Sequence, residues 1–246
     1  MVGYVDDSEK TKFPKSERIS FLSLEIPAIT NSRQGESDYK SFEDDDFFEL
    51  VQLKWVLFEK AITDIDASFF TYVDLDVVWL RDLVPSFESV FKSNQDLDAL
   101  VQDATRDPSA PSLCMGVFAF RKSKRSWDLI QSAKTIHKES NQRYGRFGDD
   151  DAITQIFVEE KSQFLVLPLP QLMYPVGLMA NLWSPLSIVR GLRPPTPFVF
   201  HANYVSKLWK KLLIMSYFKQ AVRHGGRPFF VWIVTWLKQA LHYLKP

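Results

Sequence analysis

The chain has 246 residues, enough for one large α/β domain with a real core or for two small domains. Apolar residues at 46 %, charged residues at 24 % and a single cysteine, Cys114, describe a globular protein with no internal disulfide framework, and no Cys/His cluster has zinc-like spacing. The 30 basic and 30 acidic residues cancel overall but not locally: the first 160 residues hold 19 basic and 30 acidic residues, whereas the last 86 hold 11 basic and no acidic ones. Such asymmetry implies either halves that neutralise each other in the fold or a basic region that meets an anionic partner.

In chain order, VGYV (2–5) and ISFLSLEI (19–26) read as short strands separated by a polar loop. Residues 30–46 are dense in Asp, Glu, Ser and Gly and read as an exposed loop. Phe48, Val51, Trp55, Phe58 and Ile62 then recur at +3, +4, +3, +4, one apolar helix face with acids at its positive end. Lys54 interrupts that face. FFTYV (69–73) is a strand of β-formers that ends on Asp74-Leu75-Asp76. Two further short strands are LDALVQD (97–103) and LCMGVFAF (113–120). SKRSWDLIQSAKTIHKES (123–140) is helical, and GDDDAITQIFVEE (148–160) starts a helix with acids in its first turn. FLVLPLP (164–170) and FVFHA (198–202) are strand-like. The tail from Ser206 reads as helix, a Gly-Gly-Arg-Pro break at 225–228, and helix again. Strands alternating with helices predict a largely parallel sheet covered on both faces.

In open α/β sheets ligands bind beyond the carboxyl ends of the strands, where Asp74 and Asp76 fall. Alternation along an extended chain would aim both carboxylates one way and turn Leu75 to the core. Two hard oxygen donors on one side suit Mg²⁺ or Mn²⁺, which in turn holds a diphosphate. The bland alternative is a pair of acids that caps a strand and opens a turn. A second chemistry fits the same pair: DLDVV resembles the motif of haloacid-dehalogenase-type phosphatases, in which the first Asp is a nucleophile and the second a general acid/base.

The other resemblance covers most of the chain. YVDLDVVWLRDL (72–83) resembles the metal-binding Asp-x-Asp segment of the nucleotide-diphospho-sugar transferase family, a GT-A type fold. LVQLKWVLFEKAI (50–62) resembles the helix before it, and CMGVFAFRKS (114–123) the family's Gly-containing strand. GDDDAIT (148–154) falls at the family's Asp-Gln position, LPLPQLMYPVG (167–177) at its Pro-x-Gly turn, and FHANYVSKLWKK (200–211) at its closing His-x-Asn motif with a trailing Lys. The chain departs from the family pattern at Cys114, at Asp150 in the Gln position, and near Ser206-Lys207, where a Gly is expected.

This resemblance implies a single GT-A-like, Rossmann-type domain over 1–205, its mostly parallel central sheet flanked by helices, and a basic, aromatic-rich C-terminal helical tail over 206–246. It implies a metal-dependent glycosyltransferase that moves a sugar from a nucleotide-diphosphate donor, a UDP-sugar, to an acceptor hydroxyl on a glycan, glycolipid or glycoprotein. Asp74, Asp76 and His201 would hold Mn²⁺ (or Mg²⁺), whose Lewis acidity offsets charge on the leaving nucleoside diphosphate. Asp74, Gly116, Asn203, Lys207 and Lys210 would bind the donor. Asp149, Asp150 or Asp151 would supply the catalytic carboxylate, as base, nucleophile or stabiliser of an oxocarbenium-like transition state. A catalytically inactive relative that binds a nucleotide sugar is the remaining alternative. The tail combines Lys and Arg with Trp, Tyr and Phe, which suits peripheral contact with an anionic membrane, while nucleic acid is not expected as a partner. The polar N-terminus and the lack of an apolar run of about 20 residues favour a cytoplasmic or peripheral membrane location, or the Golgi lumen if an N-terminal anchor is absent from this chain.

Overall fold

The computed structural model describes residues 2–5, 20–23, 45–145, 147–177, 197–203 and 208–223. Its elements run β1 (Val2–Val5), β2 (Ser20–Ser23), α1 (Asp45–Asp64), β3 (Phe69–Val73), β4 (Val77–Trp79), α2 (Val84–Ser93), β5 (Ala99–Asp103), β6 (Leu113–Arg121), α3 (Lys124–Tyr144), α4 (Asp149–Glu159), β7 (Val166–Leu169), β8 (Val199–His201) and α5 (Leu208–Arg223). Every strand and helix read from the sequence within these residues is present. Helix α2 is an addition. Its signal was a Pro in the first turn followed by Phe87 and Phe91, four apart on one buried face.

The central sheet has the order β3-β6-β5-β7. Strands β5 and β7 pair in parallel, while β6 is antiparallel to both β3 and β5. Three strands therefore run one way, as expected, and β6 is inserted between two of them in the opposite sense. The sheet is mixed rather than mostly parallel because β5 reaches β6 through the short segment 104–112, with no crossover helix. Strands β1 and β2 form a separate parallel pair, and β4 and β8 a separate antiparallel pair.

Alternation along the strands divides the core. Phe70, Ala99, Val101, Phe118 and Phe120 point to one face, where α1, α3 and α4 supply Trp55, Phe58, Leu129, Ile130, Ile153 and Ile156. Leu100, Val117 and Ala119 point to the other face, against Phe87, Phe91 and Tyr174. Phe58 is the hub of the first face, its ring edge-on to Phe118 at 4.7 Å and to Tyr72 at 5.3 Å. A third cluster seats α5 on the β4–β8 pair: Phe218 stacks on Phe200 with centroids 3.8 Å apart. The described part of the tail thus packs on the domain. The membrane contact expected of the tail concerns mainly residues past Arg223, which lie outside the described residues. No helix among the described residues is long and apolar enough to cross a membrane.

Replacing Phe58 by Ala should lower unfolding free energy by about 3–5 kcal/mol, because the Trp55, Tyr72 and Phe118 rings around it cannot collapse onto the void. Urea unfolding followed by tryptophan fluorescence measures this; a loss below about 1 kcal/mol would contradict the packing described.

Candidate active site

The site lies where β3 ends. Residues 74–76 are a turn rather than a continuation of the strand, with the Val77 N–H donating to Asp74 O at 3.3 Å. Leu75 is therefore fully exposed, at 102 %, and not turned to the core as strict alternation predicts. The carboxylates still converge, because the main chain ties the turn down at both ends. The Asp74 N–H donates to Gly116 O at 2.8 Å, and the Ala202 N–H donates to Asp76 O at 2.9 Å. The turn is fixed on one side to β6 and on the other to the end of β8.

His201 closes the group. Its Nε2 lies 3.1 Å from Asp76 Oδ1 and 3.6 Å from Asp74 Oδ2. One ligand atom from each of Asp74, Asp76 and His201 falls within 4.8 Å of the others, so two hard oxygens and one imidazole are available together for a divalent cation. The ring is buried and lies over Gly116. A Cβ on Gly116 would sit 1.8 Å from His201 Cε1, so only glycine leaves room for the imidazole. Gly116 was expected to let backbone approach a ligand. What the structure shows at Gly116 is the seat of His201.

Two lysines neutralise the acids. Lys54, whose place on the apolar face of α1 was the only hint of a role, reaches Asp74 Oδ1 at 3.2 Å and Asp149 Oδ2 at 3.0 Å. Burial acts to lower its pKa, but Asp149 and Asp74 outweigh burial and hold it well above the usual lysine range. Tyr72 donates its hydroxyl to Asp74 Oδ1 at 2.7 Å. Lys211, on α5, places Nζ 2.6 Å from Asp76 Oδ2. Burial acts to raise the Asp76 carboxyl, yet its contacts with His201 and Lys211 hold it well below the usual carboxylate range.

The three acids of α4 separate into three environments. Asp149 is buried against Lys54. Asp150 Oδ1 accepts the Met115 N–H at 2.5 Å, and burial, with the Asp149 charge beside it, pushes its pKa up to about 8. Asp151 accepts the Gly148 N–H at 2.9 Å and caps the helix, which accounts for it without chemistry. Asn203 is spent internally: its Oδ1 accepts the Gly177 N–H, and its Nδ2 donates to Cys114 Sγ. Lys210 is exposed with Nζ 5.6 Å from the Trp209 ring centroid. Lys207 and the position near Ser206 where a Gly was expected lie outside the described residues.

A mixed α/β sheet carries two carboxylates beyond one strand end, and a histidine from a distant segment closes the group. The chain belongs to the nucleotide-diphospho-sugar transferase family, whose description matches residues 5–215. No curated protein matches it. Among solved structures it is similar to the galactosyltransferase LgtC in complex with donor and acceptor sugar analogs (16 % identity, 87 % of this chain and 94 % of that one, TM-score 0.47). It is also similar to the glycosyltransferase GlyE of Streptococcus pneumoniae (12 %, 90 % and 64 %, TM-score 0.44). A third is mouse xyloside xylosyltransferase 1 in its apo form (11 %, 67 % and 65 %, TM-score 0.38). The chain thus spans just under two thirds of the length of the last two. Membership of the transferase family leaves the phosphatase and inactive-relative alternatives unfavoured.

Two outcomes check this geometry. Gly116→Ala should expel the His201 ring and move its imidazole NMR resonances from their wild-type positions; unchanged resonances would contradict the seat assigned to Gly116. Asp150 gives a pH test. Its folded pKa lies above its unfolded value of about 3.9, so it favours the native state fully below that value, and this contribution is lost as pH rises towards about 8. Asp150→Asn keeps an oxygen for the Met115 N–H and has no proton to lose. Unfolding free energy should therefore fall less steeply for the variant than for wild type between about pH 5 and about pH 9; parallel slopes would contradict the assignment.

Proposed function

We propose that this protein transfers a sugar from a nucleoside-diphosphate donor, a UDP-sugar, to a hydroxyl of a glycan, glycolipid or glycoprotein acceptor, with a divalent cation held by Asp74, Asp76 and His201. The observation that carries this reading is the convergence of those three side chains at the strand ends of a transferase of this family. The donor set fits Mn²⁺ or Mg²⁺, since two carboxylates supply hard oxygens and the imidazole favours Mn²⁺. When bound, such a cation supplies Lewis-acid stabilisation of the departing diphosphate.

The chain's own residues do the rest. Asp76 is kept ionised by its neighbours and is ready to ligate. Lys211 balances Asp76, and with Asp76 ligating a cation its ammonium would be available to a diphosphate oxygen of the donor. Lys210 and Lys207 remain proposed donor contacts on charge alone. Lys54 holds Asp74 and Asp149 in a fixed relation, so the carboxylates that face the donor and those of α4 stay in register. Asp149 and Asp150 are the proposed catalytic pair. Near neutral pH Asp150 keeps a proton, leaving Asp149 as the carboxylate that stabilises positive charge at the anomeric carbon or accepts the acceptor's proton. Asp151 is not assigned a catalytic part.

A screen of nucleotide sugars for Mn²⁺-dependent binding and hydrolysis identifies the donor. With that donor, Asp76→Ala should abolish Mn²⁺-dependent binding of the nucleoside diphosphate and lower turnover roughly a thousandfold or more. Unchanged binding of Mn²⁺ and UDP in calorimetry would overturn the cation assignment.

A further inference from the structure

Gln102 is fully buried, although β5 is otherwise apolar up to that point. It stands where the pairing of β5 with β6 breaks. Val101 lies opposite Phe118 but Gln102 lies opposite Cys114, so Met115, Gly116 and Val117 bulge away from β5. The bulge opens a space over Gly116, and the His201 ring fills it. The Gln102 side chain then meets that ring.

Its amide has one possible orientation. Nε2 lies 2.8 Å from Tyr174 O and 3.2 Å from Pro175 O, two carbonyls that accept and never donate. The amide nitrogen therefore faces the loop, and Oε1 faces His201 Nδ1, 2.9 Å away. An amide oxygen cannot donate, so Nδ1 carries the proton. The other neighbour of Nδ1, Cys114 Sγ at 3.5 Å, is the weaker partner and already accepts from Asn203. With Nδ1 holding its proton towards Gln102, Nε2 is the nitrogen left for Asp76 and Asp74: protonated, it donates to Asp76, and once that proton is exchanged for a cation it offers its lone pair.

We propose that Gln102 is a positioning residue that holds His201 in the Nδ1-protonated form, so that Nε2 is aimed at the carboxylates as a ligand before a cation arrives. This rests on the reading of Asp74, Asp76 and His201 as a cation site. A partner on the far nitrogen of a ligating histidine fixes ring orientation and tautomer, and its loss costs about ten- to a hundredfold in metal affinity.

Two measurements on the full chain test it. The first is long-range proton–nitrogen NMR on wild type labelled in histidine. His201 Nδ1 should carry a proton both without cation and with Cd²⁺, a diamagnetic probe; an unprotonated Nδ1 overturns the proposal whatever the variants do. The second is Mn²⁺ affinity by electron paramagnetic resonance for wild type, Gln102→Leu, Gln102→Glu and Asp76→Asn. Gln102→Leu should bind about ten- to a hundredfold more weakly. Gln102→Glu, which keeps an acceptor for Nδ1 but loses the donors to Tyr174 and Pro175, should stay within a few fold of wild type. Equal losses in the two Gln102 variants would mark a purely structural role and overturn the proposal, as would no loss in Gln102→Leu. If Asp76→Asn also binds like wild type, the cation site itself fails; if Asp76→Asn loses binding while Gln102→Leu does not, only the role of Gln102 fails.

Discussion

The like-charge repulsion of four aspartates governs this end of the molecule. Asp74, Asp76, Asp149 and Asp150 come from two distant segments and are brought together around the ends of β3 and β6. Two unit charges about 4 Å apart repel by about 4 kcal/mol at an effective dielectric of about 20, so an uncompensated cluster would force the segments apart. Three devices compensate. Lys54 bridges Asp74 and Asp149. Lys211 and His201 flank Asp76. Asp150 retains its proton to about pH 8. Each acid has a different remedy, and each remedy comes from a different element.

This compensation also gives the uneven charge along the chain a local meaning. The last basic segment meets the acidic first part at Lys211 and Asp76, the contact that seats α5 beside the site. The other ion pairs described, such as Arg125 with Asp98 and Lys134 with Glu59, lie within the first 160 residues. Here a basic residue of the last segment neutralises one carboxylate of the site. Helix α5 is therefore held twice, by stacking of Phe218 on Phe200 and by an ammonium at Asp76.

The parts of this arrangement legible in the sequence are those with a local signature. The apolar period of α1, the β-branched and aromatic runs of β3, β5 and β6, the acids opening α4 and the Asp-x-Asp pair could all be read from neighbours a few positions away. Leu75 was misplaced because strand alternation was carried two residues past the end of the strand, into a turn set by hydrogen bonds to Gly116 and Ala202. Lys54 could be noticed as a break in a pattern but not assigned, because its partners are 20 and 95 residues further along the chain. Gln102 carries no local signal at all, and Lys211 carries only that of one basic residue among several after the His-x-Asn motif. Their roles depend on which carbonyls and carboxylates the tertiary fold places against them.

Gly116 shows how tightly these long-range placements are coupled. Its missing side chain makes room for His201, its carbonyl holds the Asp74 amide, and the bulge in which it sits turns Gln102 towards the same imidazole. The next residue before it, Met115, gives its amide proton to Asp150. The Asp74–Gly116 bond continues the pairing of β6 with β3, whereas regular pairing on the other edge would have spent the Met115 N–H in the ladder with β5 and filled the space with a side chain. The irregularity towards β5 thus frees Met115 for the acid on α4 and leaves room for the ring of His201, while the regular edge towards β3 holds the turn carrying Asp74. A change that regularised β6 there would improve sheet pairing while separating the carboxylates from the imidazole, so this segment is under opposing demands from stability and from the site.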